Sequence, residues 1–199
     1  HLSIRRQRQM CIRDRITSLF GKHPIPLFSY EVKNWVNKKR EIISWLDKTT
    51  FSRQGGPGYG NFYSDRPFTK YNKFYADDFV NLLNFELKSF VDDAGLPFIS
   101  LVDIWAVEYE KGDFHLPHTH RSSGFSGILY VNFNKGEHPL TTVIQPWNGI
   151  LDEKTKLVPI DAEEGTLTII PSNLLHFTTP NESDYKKTVI SFDLSFKER

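Results

Sequence analysis

From residue 99 to residue 196 the chain alternates apolar and polar positions with period two, in short runs broken by turn residues. Only a pleated strand puts every second side chain on one face, so this pattern commits the second half of the chain to β-structure. The runs 99–109, 112–120, 125–134, 140–146, 156–160, 165–171, 174–179 and 187–196 are rich in β-branched and aromatic residues and read as strands. Asn134-Lys135-Gly136, Pro146-Trp147-Asn148-Gly149, Glu163-Glu164-Gly165 and Pro180-Asn181 separate them.

The first half carries a different period. Over 31–48, Val32, Trp35, Val36, Lys39, Ile42, Ile43 and Leu46 follow the three-four spacing of an amphipathic helix, with the Lys39 stem lying along the apolar stripe. A second helix is predicted near 76–93 from Phe79, Leu82, Leu83, Leu87, Phe90 and Val91, with Gly95 ending it. Between them, 49–75 is rich in Gly, Pro, Ser, Asn and aromatics, and GGPGYG at 55–60 reads as a loop. Its aromatics, Tyr59, Phe62, Tyr63, Phe68 and Tyr71, would serve either as a lid over a site or as a packed buttress. The fold class expected is α+β, mainly β: a double-stranded β-helix (jelly roll) buttressed by two N-terminal helices. One domain over 16–199 would divide into a helical buttress, 16–98, and a jelly-roll core, 99–199.

Composition excludes several classes. With 39% hydrophobic and 14% aromatic residues the chain can build a core. It has no apolar run of the roughly 20 residues a membrane span needs, and no apolar signal segment opens the sequence. A formal net charge of +1 gives no reason to expect nucleic acid or a membrane surface as partner. The single cysteine, Cys11, rules out an intrachain disulfide and fits a reducing compartment such as the cytoplasm. The first fifteen residues stand apart. They hold five arginines against one aspartate, together with Cys11 and the only methionine, Met10, while 16–199 carries 20 basic against 23 acidic side chains. HLSIRRQRQMCIRDR resembles a translated adapter sequence and reads as a non-native basic tail in place of the true N-terminus. The other reading is a basic arm for nucleic acid.

Five of the seven histidines fall in the β half: His115, His118, His120, His138 and His176. Side chains two apart on a strand share a face, so His118 and His120 converge on one point. His176 follows the apolar run 166–170 and the Pro171 turn, where a returning strand would bring it beside them. Three such ligands occupy one triangular face of an octahedron and leave the remaining positions open, an arrangement suited to a divalent metal such as Fe(II). An HxH pair can equally be two ordinary surface histidines. His115 has the opposite parity and should face away from a regular strand, and His138 lies in a turn and should be solvated. Trp105 reads as core, Trp147 as a loop residue able to cover the site, and Arg121, Ser122 and Ser123 as a turn or, in the other reading, as the lining of the site entrance.

YEKGDFHLPHTH at 109–120 resembles the start of the iron site in 2-oxoglutarate/Fe(II) oxygenases of the prolyl-hydroxylase type. Tyr109, Gly112 and His118 match, and His120 stands where that family has aspartate. SGILYVN at 126–132 is similar to the strand that follows, and EGTLTIIPSNLLH at 164–176 to the segment that ends in the distal histidine. KKTVISFDLSF at 186–196 is similar to the last core strand. Four segments in the right order, with 58 positions between His118 and His176, cover about half the chain. An HxH version followed by a Ser-Gly strand also resembles a little-characterised subgroup of the superfamily. The resemblance implies Fe(II) held by His118, His120 and His176. It further implies 2-oxoglutarate held through its far carboxylate by Lys187 (Lys186 in reserve), with O2 and an unidentified substrate as further partners; the Tyr130 hydroxyl would bond the same carboxylate, unless Tyr130 is simply a packed barrel aromatic. It implies no catalytic residue beyond the metal ligands; hydroxylation of that substrate is the expected reaction. Replacing aspartate by His120 leaves the site one positive charge richer and brings other metals into play; Glu108, Glu110 and Asp113 are alternative carboxylate ligands.

The rival resemblance is to cupins, which share the barrel. Gly112 and His118-x-His120 fit the first cupin motif, and Gly165, Pro171 and His176 much of the second, but Gly124-Phe125 stand where the usual glutamate would. That reading implies a metal-binding isomerase or a sugar or metabolite binder that does not use 2-oxoglutarate. A third reading is a structural jelly roll whose histidines bind nothing. If residues 1–15 are foreign to the fold, deleting them leaves the melting temperature unchanged in a thermal scan; a marked drop would make them part of it.

Overall fold

The computed structural model describes residues 16–18, 25–56, 58–66, 73–147 and 154–196. The basic segment 1–15, Phe68, Tyr71 and the second half of the PWNG turn lie outside these residues. The elements run β1 (Ile16–Ser18), β2 (Pro26–Glu31), α1 (Trp35–Leu46), β3 (Ser52–Gly56), β4 (Gly60–Ser64), α2 (Ala76–Leu82), α3 (Asn84–Ala94), β5 (Ser100–Tyr109), β6 (Phe114–His118), β7 (Phe125–Asn132), β8 (Thr141–Ile144), β9 (Leu157–Pro159), β10 (Thr166–Pro171), β11 (His176–Thr178) and β12 (Lys187–Ser195). The strands form one antiparallel sheet in the order β1-β2-β10-β7-β12-β5-β4-β6-β11-β8-β9, with β3 attached to β4. At its corner, β4 pairs with β5 through Tyr63 and Ser64 and with β6 through Gly60 and Asn61, which curls the sheet over on itself.

All eight strands read from the sequence of the second half are present. Alternation survives because the larger part of the curled sheet has two different faces. On β5, Ile104 and Ala106 point to the helices, while Trp105, Val107 and Tyr109 point into the curl. Leu129 and Val131 on β7, Leu167 and Ile169 on β10, and Ile190, Phe192 and Leu194 on β12 join the helix-side core. Ile128, Tyr130 and Val189 belong to the inner cluster.

Among the described residues three helices, not two, cover the outer face. The expected helix over 76–93 is divided at Leu83, whose φ/ψ of −99°/14° leaves the helical region. Backbone bonds from Leu83 N to Phe79 O (3.0 Å) and from Leu87 N to Leu83 O (2.9 Å) span the break. Phe79, Leu83, Leu87 and Phe90 all stay buried, so the apolar period runs through the kink and cannot report it. In α1, Ile42, Trp45 and Leu46 are buried, but Val36 is exposed and off the expected stripe. The described residues of the segment 16–98 also supply four strands beside its helices. GGPGYG is not simply a loop: its first two glycines end β3 and Gly60 opens β4. Gly60 has φ +115°, and a Cβ there would meet the Phe114 carbonyl oxygen at 2.5 Å, so glycine lets β4 press against β6.

Buried carboxylates tie helices to sheet. Asp65 accepts hydrogen bonds from the Tyr75 hydroxyl (2.7 Å) and Ala106 N (2.9 Å) and pairs with Lys73 at 3.1 Å. Glu86 pairs with Lys38 at 3.2 Å and accepts Lys33 N at 3.0 Å, fastening α3 to the start of α1. Among the described residues no helix is long and apolar enough to cross a membrane.

The contact between sheet and helices turns on Phe192, fully buried, its ring 5.2 Å from that of Phe79. Gly127 on the neighbouring strand leaves room for it, since a Cβ there would stand 2.1 Å from Phe192 Cζ. Gly127→Ala should therefore destabilise the protein by about 1–3 kcal/mol through overpacking, measured by urea denaturation; an unchanged midpoint would show that the ring has somewhere to go.

Candidate metal centre

His118 ends β6, His176 opens β11, and the two are directly paired in the sheet. His120 lies two residues past His118, its backbone N–H bonded to Ser172 O at 2.9 Å. One ring nitrogen from each of the three falls within 4.8 Å of the others. Each ring is fixed from behind. His118 Nδ1 donates to Leu116 O (2.7 Å), His176 Nδ1 to Leu174 O (2.9 Å) and His120 Nδ1 to Asp193 Oδ1 (2.7 Å). Carbonyl and carboxylate oxygens only accept, so Nδ1 carries the proton and the Nε2 lone pair of each ring is left for a ligand. Burial, reinforced by the neighbouring imidazoles, lowers the pKa of His176 to about 3; burial foremost, with His120 adding to it, lowers that of His118 to about 4. Both rings are neutral at neutral pH, the form a metal binds.

His115, set aside by parity, lines the same cavity. Its ring stacks on His118 with centroids 3.9 Å apart and packs on Phe62 at 4.2 Å. The reason is a β-bulge: His176 pairs with His118 but Thr178 pairs with His115, two steps on one strand against three on the other. That shift brings residue 115 to the face of 118. Burial, then the adjacent imidazoles, push its pKa down to about 2. His138 also departs from expectation. It is buried, accepts Asn134 N at 3.0 Å and bonds Tyr185 O at 3.1 Å, joining the turns before β8 and β12.

Lys187 opens β12 and points into the histidine cavity, 1% exposed. Its Nζ donates to Pro139 O at 2.7 Å and lies among the rings of Tyr109, Phe133 and Tyr130 at 5.0, 5.6 and 5.9 Å. No carboxylate among the described residues pairs with it, and burial lowers its pKa from 10.5 to about 7. Lys186 points outward to Glu108 at 2.8 Å. Tyr130 stands behind Lys187 without lining the cavity. Its hydroxyl is sealed from solvent with no hydrogen-bond partner among the described residues, and burial raises its pKa to about 12.

The alternative carboxylate ligands are committed elsewhere. Arg53 grips Asp113 with two bonds of 2.6 and 3.0 Å, Glu108 holds Lys186, and Glu110 lies on the surface. Arg121, Ser122 and Ser123 form an exposed bend, and Trp147 is exposed. Phe62 acts as buttress, while Tyr59 is exposed. Trp105 is buried as expected but also walls the cavity, its ring centroid 5.3 Å from that of His120. Asp193 was not singled out by the sequence, although it shares the parity of Lys187, Val189 and Ser191 on one strand. A larger groove of about 430 Å³, lined by Trp35, Lys135 and several acidic residues, shares no residue with the histidine cavity and gathers no ligand cluster.

A family profile described as "Putative 2OG-Fe(II) oxygenase" matches residues 103–193. No curated protein sequence matches the chain. Solved structures share its fold at low identity. SnoN, a non-heme α-ketoglutarate-dependent epimerase of nogalamycin biosynthesis, is 11% identical with a TM-score of 0.68, over 94% of this chain and 83% of its own. HygX from Streptomyces hygroscopicus, solved with nickel, 2-oxoglutarate and hygromycin B, is 13% identical with a TM-score of 0.63, over 94% and 86%. A prolyl-4-hydroxylase from Pseudomonas putida is 10% identical with a TM-score of 0.57, over 86% and 93%.

The buried lysine leaves a signature in stability. Between a folded pKa near 7 and an unfolded value near 10.5, the unfolded chain holds the proton and the folded chain does not. Stability of the metal-free protein should therefore rise with pH across that window, by up to about 1.4 kcal/mol per unit, relative to Lys187→Met. Urea titrations of both proteins from pH 7 to pH 10 check this; parallel curves would mean the lysine titrates as in water.

Proposed function

The match over residues 103–193 places the β-rich half of this chain in the 2-oxoglutarate/Fe(II) oxygenase superfamily, and on that premise we propose that the protein is a cytoplasmic 2-oxoglutarate- and Fe(II)-dependent oxygenase that hydroxylates an as yet unidentified substrate. Its working core would be a double-stranded β-helix, 99–199, with 16–98 as the buttress. The observation that carries the reading is the pairing, in one cavity, of three free Nε2 atoms with a buried lysine that has no carboxylate partner among the described residues. His118, His120 and His176 would hold the metal. Lys187 would hold the far carboxylate of the 2-oxo acid, and the unpartnered Tyr130 hydroxyl, beside it, would donate a hydrogen bond to the same group.

The donor set fits that load. A buried cation without a counterion and a buried hydroxyl without an acceptor are both costly, and a bound carboxylate relieves both. Lysine binds it as a point charge rather than through a two-pronged fork. Free space between the lining side chains is narrow, about 20 Å³, so Lys187 must exchange its bond to Pro139 O for the ligand as the cavity opens. Once bound, iron and 2-oxoglutarate supply the oxidising power drawn from O2. Trp105, Tyr109 and Val189 keep the walls apolar and exclude water, and the three fixed imidazoles would hold the metal through their Nε2 atoms.

Anaerobic titration with Fe(II) and 2-oxoglutarate tests this. A visible charge-transfer band should form only when both are present and should vanish in His176→Ala. Lys187→Met should keep metal affinity but weaken 2-oxoglutarate about 10- to 100-fold, the worth of one charged hydrogen bond. Tight binding of another metal with no band would instead favour the cupin-like reading.

A further inference from the structure

Asp193 is a buried carboxylate whose surroundings do not neutralise it within the protein. It lies on the inward face of β12, 3% exposed. Among the described residues its hydrogen-bond partners are His120 Nδ1 (2.7 Å) and Ser126 Oγ (2.7 Å), both on Oδ1, and Ser126 is in turn 2.9 Å from Ser172 Oγ. Among the described residues no lysine or arginine pairs with it, although Arg66 favours its charge from a distance. Directly across the sheet stands another acid, Asp103, whose own partner, Arg66, reaches it at 3.4 Å and stacks on Trp105. A carboxylate held this deep without a cation beside it is costly unless a positive charge lies within reach. The direction its hydrogen bond takes is through the His120 ring, whose far nitrogen is one of the three that converge.

We propose that Asp193, fixed by Ser126, supplies from behind His120 the negative charge that an aspartate at position 120 would supply by direct ligation. The charge count then closes. Three neutral imidazoles leave a divalent ion at +2, and Asp193 returns the unit to +1, the balance of a two-histidine, one-carboxylate site. A hydrogen bond from the ligand's second nitrogen to a carboxylate also fixes the ring and makes it a stronger donor. The carboxylate has thus moved outward by the length of one imidazole. This inference rests on the metal-site reading above.

Its test uses Co(II) alone, read by visible absorption, before any 2-oxoglutarate is added. Asp193→Asn keeps the shape and removes the charge. Co(II) affinity should fall about 10- to 100-fold, as for other groups that orient a metal ligand, with the metal-free protein still folded by circular dichroism. In the Fe(II)–2-oxoglutarate complex the charge-transfer band of the variant should move to shorter wavelength, because a less electron-rich iron gives up its electron less readily; a purely structural role would leave the band in place. Should Asp193→Asn fail to fold, Ser126→Ala removes one of the two anchors of the carboxylate and should lower Co(II) affinity several-fold. Native affinity and an unmoved band in Asp193→Asn, or native affinity in Ser126→Ala where that variant decides, would overturn the inference alone. Absence of Co(II) binding by the native protein would overturn the metal-site reading and this inference with it.

Discussion

The structure depends on β12 having two faces. Ile190, Phe192 and Leu194 press outward into the core shared with the helices, and Lys187, Val189, Ser191 and Asp193 point into the curl. Because β12 sits between β7 and β5, its alternation sets theirs through the backbone ladder. A slip of one residue would exchange the faces and carry a lysine and an aspartate into the helical interface. The apolar outer face therefore does more than stabilise: the burial of Phe192 against Phe79 holds Lys187 in the histidine cavity and Asp193 behind the His120 ring.

Within that frame, irregularity builds the site. A perfectly regular β6 would face His115 away from His118. The bulge against β11 turns it inward, so that four imidazoles share the cavity. Gly60 has a comparable effect at the corner, where the missing Cβ lets β4 approach the backbone of β6 closely enough to place Phe62 against His115. Both features sit at the rim of the curled sheet, where loss of regular pairing costs least and re-aims side chains most.

The cavity and the residues directly behind it are also where the fold leaves polar groups unsatisfied. Arg53–Asp113, Lys38–Glu86 and Lys73–Asp65 pair off elsewhere, and those buried carboxylates need nothing from outside. Among the described residues Lys187 and the Tyr130 hydroxyl have no such answer, and Asp193 hydrogen-bonds an imidazole and a hydroxyl rather than a cationic side chain. Buried groups left in this state mark where ligands complete the protein.

By itself, the sequence determined what is local and periodic. Alternation placed all eight strands of the second half, and two-residue spacing joined His118 to His120. These follow from backbone geometry, which repeats with a fixed period whatever the chain meets later. The expectation of His176 and of Lys187 over Lys186 came instead from the resemblance of their segments to a known family. What the tertiary structure decided is whatever depends on two segments meeting. The kink at Leu83 is invisible to a period that runs through it. The bulge that turns His115 needs both strands, and the burial of His138 needs the turn that Tyr185 brings to it. Asp193 lies 73 positions from His120, and only the closed sheet brings its carboxylate against that ring. Sequence period fixes which face a side chain occupies; what it faces is settled by packing between distant strands.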